Sequence, residues 1–172
     1  MNISLIGMMG CGKTTIGKCL STALKGFAFI DTDSLIEENE GMRVCDIFTQ
    51  KGEDYFRALE TKVLKEIFET KGNKIISTGG GMVKSAENRQ LLKENSTIVY
   101  LKTDAKEIYN RLKNNTERPL LRAADMEDRI NNLLNERSRL YEEAHIIIDT
   151  SGKNIDIIQE ETVQKILEYG KN

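Results

Sequence analysis

The chain has 172 residues, 39% of them hydrophobic and 30% charged, with a net charge of −2 at pH 7; this bounds it to one soluble globular domain large enough for a substantial core. Charges of both signs are interspersed, which excludes the basic face that a nucleic-acid partner requires. No apolar run approaches the roughly 20 residues that span a bilayer, and no basic, cleavable leader precedes the first strand, so the sequence predicts a cytoplasmic protein with no membrane partner.

Residues 2–6 are a short apolar run read as the first strand. They lead into Gly7-Met8-Met9-Gly10-Cys11-Gly12-Lys13-Thr14, which matches G-x-x-x-x-G-K-[ST]. Glycines let successive backbone N–H groups turn inward on a phosphate, and the helix that follows points its positive end at the same place. Lys13 adds a mobile charge for the β- and γ-phosphates, and a hydroxyl after the lysine, here Thr14, suits the Mg²⁺ that accompanies a nucleoside triphosphate. Ile16, Cys19, Leu20, Ala23 and Leu24 recur at helical spacing, and Gly26 ends that helix. Three cysteines, Cys11, Cys19 and Cys45, lack metal-like clustering and His145 is the only histidine, so neither a disulfide frame nor a zinc site is indicated.

A second strand over 27–30 finishes in Asp31-Thr32-Asp33. If extended geometry persists, both carboxylates lean to one side at the ligand-collecting end of the sheet. Alternatively, Asp33 caps a helix that begins at Ser34. Short helical pieces follow over 35–40 and 44–49, separated by Gly41 and ended by Gly52. A long amphipathic helix then covers 53–71, and its stripe of Phe56, Leu59, Val63, Leu64, Ile67 and Phe68 contains Glu60. Arg57, one turn earlier, is its natural partner and keeps donors for a ligand; an ordinary surface ion pair is the other reading.

A third strand over 74–78 runs into Gly79-Gly80-Gly81, read either as a hinge or as a backbone wall for an acceptor substrate. A helix over 85–93, a strand over 97–101 and a helix over 104–113 follow. The polar stretch 114–122 carries Arg118 beside the only proline, Pro119, and reads as a lid that closes over phosphates; Arg111 and Arg122 flank it and face either nucleotide or solvent. The helix over 126–143 places Arg137 on the inner stripe with Ile130, Leu133, Leu134 and Tyr141, where an arginine demands an internal carboxylate or a bound acidic ligand. Strand 146–149, a turn and a helix over 155–169 close the chain. The β-α alternation predicts a five-stranded parallel sheet with helices on both faces.

Taken together, G-M-M-G-C-G-K-T, D-T-D, F-R-x-x-E (Phe56 to Glu60), G-G-G, R-P-L-L (Arg118 to Leu121) and E-R-x-x-x-Y (Glu136 to Tyr141) resemble the shikimate kinases, in the right order over nearly the whole chain. The resemblance implies a single α/β domain over 1–172 with the three-layer P-loop kinase fold of the nucleoside monophosphate kinases and sheet order 2-3-1-4-5. It further implies a substrate-binding region near 33–60, a lid near 112–124, and transfer of the γ-phosphoryl of ATP to the 3-hydroxyl of shikimate in chorismate and aromatic amino-acid biosynthesis. Residue by residue, ATP would meet Gly10, Cys11, Gly12, Lys13, Thr14, Thr15, Arg111 and Arg118, and Mg²⁺ would be held by Thr14 and Asp31. Shikimate would meet Asp33, Phe56, Arg57, Gly79, Gly80, Gly81 and Arg137, with Lys13, Asp33 and Arg118 as the catalytic set. A monomer is expected. Cys11 departs from the alanine or serine expected in this family; it reads either as a tolerated small side chain or as a thiol made unusually reactive by the inward N–H groups at a helix start. Competing readings are a gluconate or nucleoside monophosphate kinase of the same architecture, which Arg57, Arg137 and the triple glycine disfavour, and a catalytically silent nucleotide-binding module, which the intact Lys13, Thr14, Asp31, Asp33 and Arg118 disfavour.

Overall fold

The computed structural model describes residues 1–113 and 126–171. Five strands form one parallel sheet in the order β2-β3-β1-β4-β5: β1 (Asn2–Ile6), β2 (Phe27–Asp31), β3 (Asn73–Ser77), β4 (Thr97–Lys102) and β5 (Ile146–Asp149). The first strand lies at the centre, flanked by β3 and β4, because its residues Ile3, Leu5 and Ile6 are apolar on both faces and are at most 3% exposed. The chain adds β2 and β3 on one side of β1 and β4 and β5 on the other, so the strand order reverses at the end of β1. This is the crevice where ligands collect in open α/β sheets.

Helices cover both faces. On one, α1 (Lys13–Ala23) and α8 (Ile155–Tyr169) bury Ile16, Leu20, Ile158 and Ile166 against Ile3, Leu5, Ile75, Val99 and Ile148. On the other lie α4 (Glu53–Glu69), α5 (Ala86–Asn95) and α7 (Met126–Tyr141), with a short 3₁₀ turn at Met82–Lys84. They bury Leu64, Met82, Leu92 and Tyr141 against Ile6, Ile98 and Tyr100. Each such aliphatic side chain contributes about 1.5–3 kcal/mol of burial. The small helices α2 (Thr32–Glu40) and α3 (Val44–Lys51) pack on α4 through Ile36, Ile47, Phe56 and Val63. Finally, α6 (Ala105–Leu112) joins α7 under the loop after β1, where Ile108, Leu112 and Ile130 enclose Met8.

The expected elements are present, with ends shifted by a few residues. One difference is physical: the extended geometry of β2 stops at Asp31, and α2 begins at Thr32, two residues earlier than the Asp33 cap predicted. Asp31 itself is the cap, its side chain accepting from the N–H groups of Asp33 and Ser34. Asp33 is therefore a first-turn residue, and its direction is set by the helix. His145 behaves as a strand-edge residue: its Nδ1 accepts from the N–H of Ile98 at 2.9 Å.

Candidate active site

The loop from Gly7 to Gly12 leaves the C-terminal end of β1 and enters α1 with Gly12 as its N-cap at φ 100°, a left-handed conformation that favours glycine. Gly10 is held under Leu112, where an added Cβ would lie 3.0 Å from the side chain. The Nζ of Lys13 donates to the carbonyl oxygens of Gly7 at 2.8 Å and Met8 at 3.1 Å, so the ammonium lies along the loop. Thr14 and Thr15 are exposed on the first turn of α1. The Cys11 side chain is 1% exposed and belongs to the core cluster under the loop. Its Sγ lies 3.7 Å from Lys13 Nζ, and Cys19 and Cys45 are the more accessible thiols.

Beside the loop, Thr14 Oγ1 donates to Asp31 Oδ2 at 2.8 Å and lies 3.5 Å from Ser77 Oγ. Two hydroxyls and a carboxylate at the ends of α1, β2 and β3 form a hard-oxygen corner that suits Mg²⁺, which typically takes one or two protein carboxylates plus substrate phosphates. Ser77 is a member that sequence reasoning missed.

Across the crevice the triple glycine turns between the acidic and basic side chains. The N–H of Gly79 donates to the buried Oγ1 of Thr32 at 3.0 Å, a tie that no sequence feature announced beyond Thr32 lying between two aspartates. A Cβ on Gly79 would lie 2.7 Å from Glu60 Oε1 and 2.8 Å from Asp33 Oδ1, and one on Gly81 would lie 2.6 Å from Arg57 Nη2. The glycines are therefore a close-approach wall. Gly79→Ala is expected to destabilise the fold by about 1–3 kcal/mol through this overpacking, read as a lowered thermal midpoint; an unchanged midpoint would show that the two carboxylates yield freely.

Glu60, inside the apolar stripe of α4, is fully buried and its Oε2 accepts from Arg57 Nη1 at 2.6 Å, so this is no ordinary surface pair. Burial pushes its carboxyl up to about 7, with Arg57 opposing and Asp33 adding to the rise. Between the ordinary carboxylate value and about 7 the folded protein thus holds a proton that the unfolded chain releases, and the stability due to Glu60 falls as pH rises through that window. Urea midpoints across that window should fall less steeply in Glu60→Gln than in the wild type; equal slopes would exclude Glu60 as the source.

Arg57 is clamped from a second side by Glu53, whose Oε1 accepts from Nη2 at 3.0 Å and from Nε at 3.2 Å. Its guanidinium sits near the rings of Phe48 and Phe56, 5.8 and 5.6 Å from their centroids. Phe56 is 3% exposed and packs on Phe48 at 4.6 Å. It forms a floor for Arg57 beside the glycine turn.

Arg137 is 7% exposed. Its Nη1 donates to the carbonyl oxygen of Gly80 at 3.1 Å; among the described residues its buried Nε has no partner and it makes no ion pair. Tyr141, one turn later, donates to the same carbonyl at 2.5 Å. On the nucleotide side, Arg111 Nη1 donates to the carbonyl of Gly10 at 3.2 Å and pairs with Glu107. Glu107 in turn accepts from the N–H of Gly152 at 3.0 Å, tying the loop to the turn after β5. Arg118, Arg122 and most of the expected lid lie outside the described residues.

The family model described as "Shikimate kinase" matches residues 9–169. The shikimate kinase of Persephonella marina is 43% identical over 153 residues, 89% of this chain and 91% of that protein. A solved structure, shikimate kinase from Acinetobacter baumannii in complex with shikimate, is 38% identical with a TM-score of 0.91, covering 97% of this chain and 93% of that one. By contrast, a gluconokinase from Sinorhizobium meliloti shares the fold at a TM-score of 0.64 and 15% identity, covering 99% of this chain and 94% of that chain. The chain belongs to the shikimate kinase family.

Proposed function

We propose that the protein transfers the γ-phosphoryl group of ATP to the 3-hydroxyl of shikimate, giving shikimate 3-phosphate and ADP, as a monomer acting in the cytoplasm. The observation that carries the acceptor is Arg137: a buried guanidinium with a donor left unpartnered and no ion pair among the described residues, on the same glycine turn as Arg57. Desolvated arginines require an anion, and the planar carboxylate of a small acid fits two guanidinium groups. A nucleoside monophosphate, which carries no carboxylate, would leave part of this arrangement unused.

On the donor side, the loop N–H groups and Lys13 bind the β- and γ-phosphates, with Arg118 adding positive charge to the transferring group as the family's motif implies. Thr14 and Asp31 hold Mg²⁺, which when bound neutralises phosphate charge. Asp33 faces the acceptor side of Gly79, where it orients the attacking hydroxyl. Arg57, Arg137 and the glycine wall fix the acceptor ring. Phosphoryl transfer depends chiefly on such positioning and charge neutralisation.

The test is ADP release with ATP and Mg²⁺ in the presence of shikimate, gluconate or nucleoside monophosphates in turn. Turnover with shikimate at least ~10²-fold above the others in kcat/KM is expected, the scale on which a site built around charged partners rejects an analogue. Preferred turnover of any other acceptor overturns the reading.

A further inference from the structure

We propose that the hydroxyl of Tyr141 is a positioning device for the acceptor: it takes one side of the Gly80 carbonyl and so confines Arg137 to the orientation in which its remaining donors face the acceptor's carboxylate. This rests on the reading of Arg137 given above. A peptide carbonyl offers two lone-pair directions. Here one is taken by Tyr141 Oη at 2.5 Å and the other by Arg137 Nη1 at 3.1 Å.

The tyrosine is held where it is by packing. Its side chain is fully buried, and its ring is stacked on Tyr100 at 5.1 Å with 23° between the planes. Tyr100 in turn lies against Gly7, where an added Cβ would meet its ring at 3.5 Å. Gly80 has no room to retreat, since a Cβ there would lie 3.1 Å from the N–H nitrogen of Met9. The carbonyl is thus fixed between the phosphate loop and α7, and the hydroxyl approaches it from a rigid stack.

The arginine makes the longer contact of the pair, 3.1 Å against 2.5 Å. With the hydroxyl present it reaches the carbonyl through Nη1 and also interacts with the hydroxyl itself, while its Nε has no partner among the described residues. Without the hydroxyl, the guanidinium gains the vacated lone pair and rotates to set two of its donors on Gly80, because a buried charged group takes whatever acceptor is within reach. The acceptor then loses a preorganised partner, although nothing in direct contact with it has been changed.

Tyr141→Phe keeps the ring, the stack on Tyr100 and the volume. It is expected to raise the KM for shikimate about tenfold, the scale of one lost buried hydrogen bond, with the KM for ATP and kcat within about twofold. In an Arg137→Ala background the same substitution should change the shikimate KM by less than about twofold, because the hydroxyl acts through Arg137. A full tenfold effect persisting in that background overturns the inference, as does a parallel fall of kcat, ATP affinity and thermal midpoint, the pattern of a tyrosine that only packs. If Arg137→Ala by itself leaves the shikimate KM unchanged, the placement of Arg137 fails instead. If Arg137→Ala raises that KM while Tyr141→Phe does not, the present inference fails alone.

Discussion

Asp33→Asn is expected to lower kcat by ~10²–10³-fold at saturating shikimate while the shikimate KM changes by only a few-fold, the loss associated with removing a positioned general base. Asparagine keeps the size of the side chain and one acceptor oxygen, so binding largely survives, but the amide accepts no proton. The surroundings favour a base: Asp33 opens α2 in its first turn, where the helix dipole supports a carboxylate, and its Oδ1 faces Gly79 opposite a Glu60 that holds its own proton up to about pH 7. Of the two carboxyl groups around this glycine, burial raises that of Glu60 to about 7, which favours its neutral form below that pH. Against this stands the loose character of phosphoryl transfer, which needs little proton removal before the P–O bond forms. Steady-state kinetics decide between them. Turnover within a few-fold of wild type would reduce Asp33 to a binding residue, whereas a loss of two orders of magnitude with a flattened acid limb of the pH profile would establish the base.

Arg137→Ala should cut kcat/KM for shikimate by ~10²–10³-fold, about 3–4 kcal/mol, the usual consequence of removing one partner of a desolvated charge pair. The effect should fall mainly on the shikimate KM. The companion measurement is thermal. A guanidinium that is 7% exposed and, among the described residues, makes no ion pair is a destabilising group in the free protein, so the alanine variant should melt at or above the wild-type temperature. Activity and stability then move in opposite directions, as at sites where strain is kept for function. Arg137→Lys should recover only part of the loss, because an ammonium lacks the planar fork. A variant that loses stability and activity together would identify Arg137 as a core-building residue.

Much of this protein is legible in its sequence because local physics decides it. The P-loop pattern, the β-α alternation, the stripes of α4 and α7 and the glycine that ends α1 each follow from spacing within a few turns, and even Glu60 and Arg137 stand out as charged residues on apolar stripes. That Arg57 and Glu60 pair also follows from an i, i+3 relation. Tertiary structure decided what depends on contacts distant in sequence. Asp31 and not Asp33 caps α2 because its other oxygen meets Thr14 from α1. Cys11 joins the core cluster, and Phe56 lies beneath Arg57. Thr32 and Tyr141, ordinary residues in their own segments, became ties to Gly79 and Gly80 only when β2, β3 and α7 came together. Spacing along a chain determines which face a side chain is on; which group it meets there is set by the strand order, which placed β1 between β3 and β4 and so brought the phosphate loop against the glycine turn.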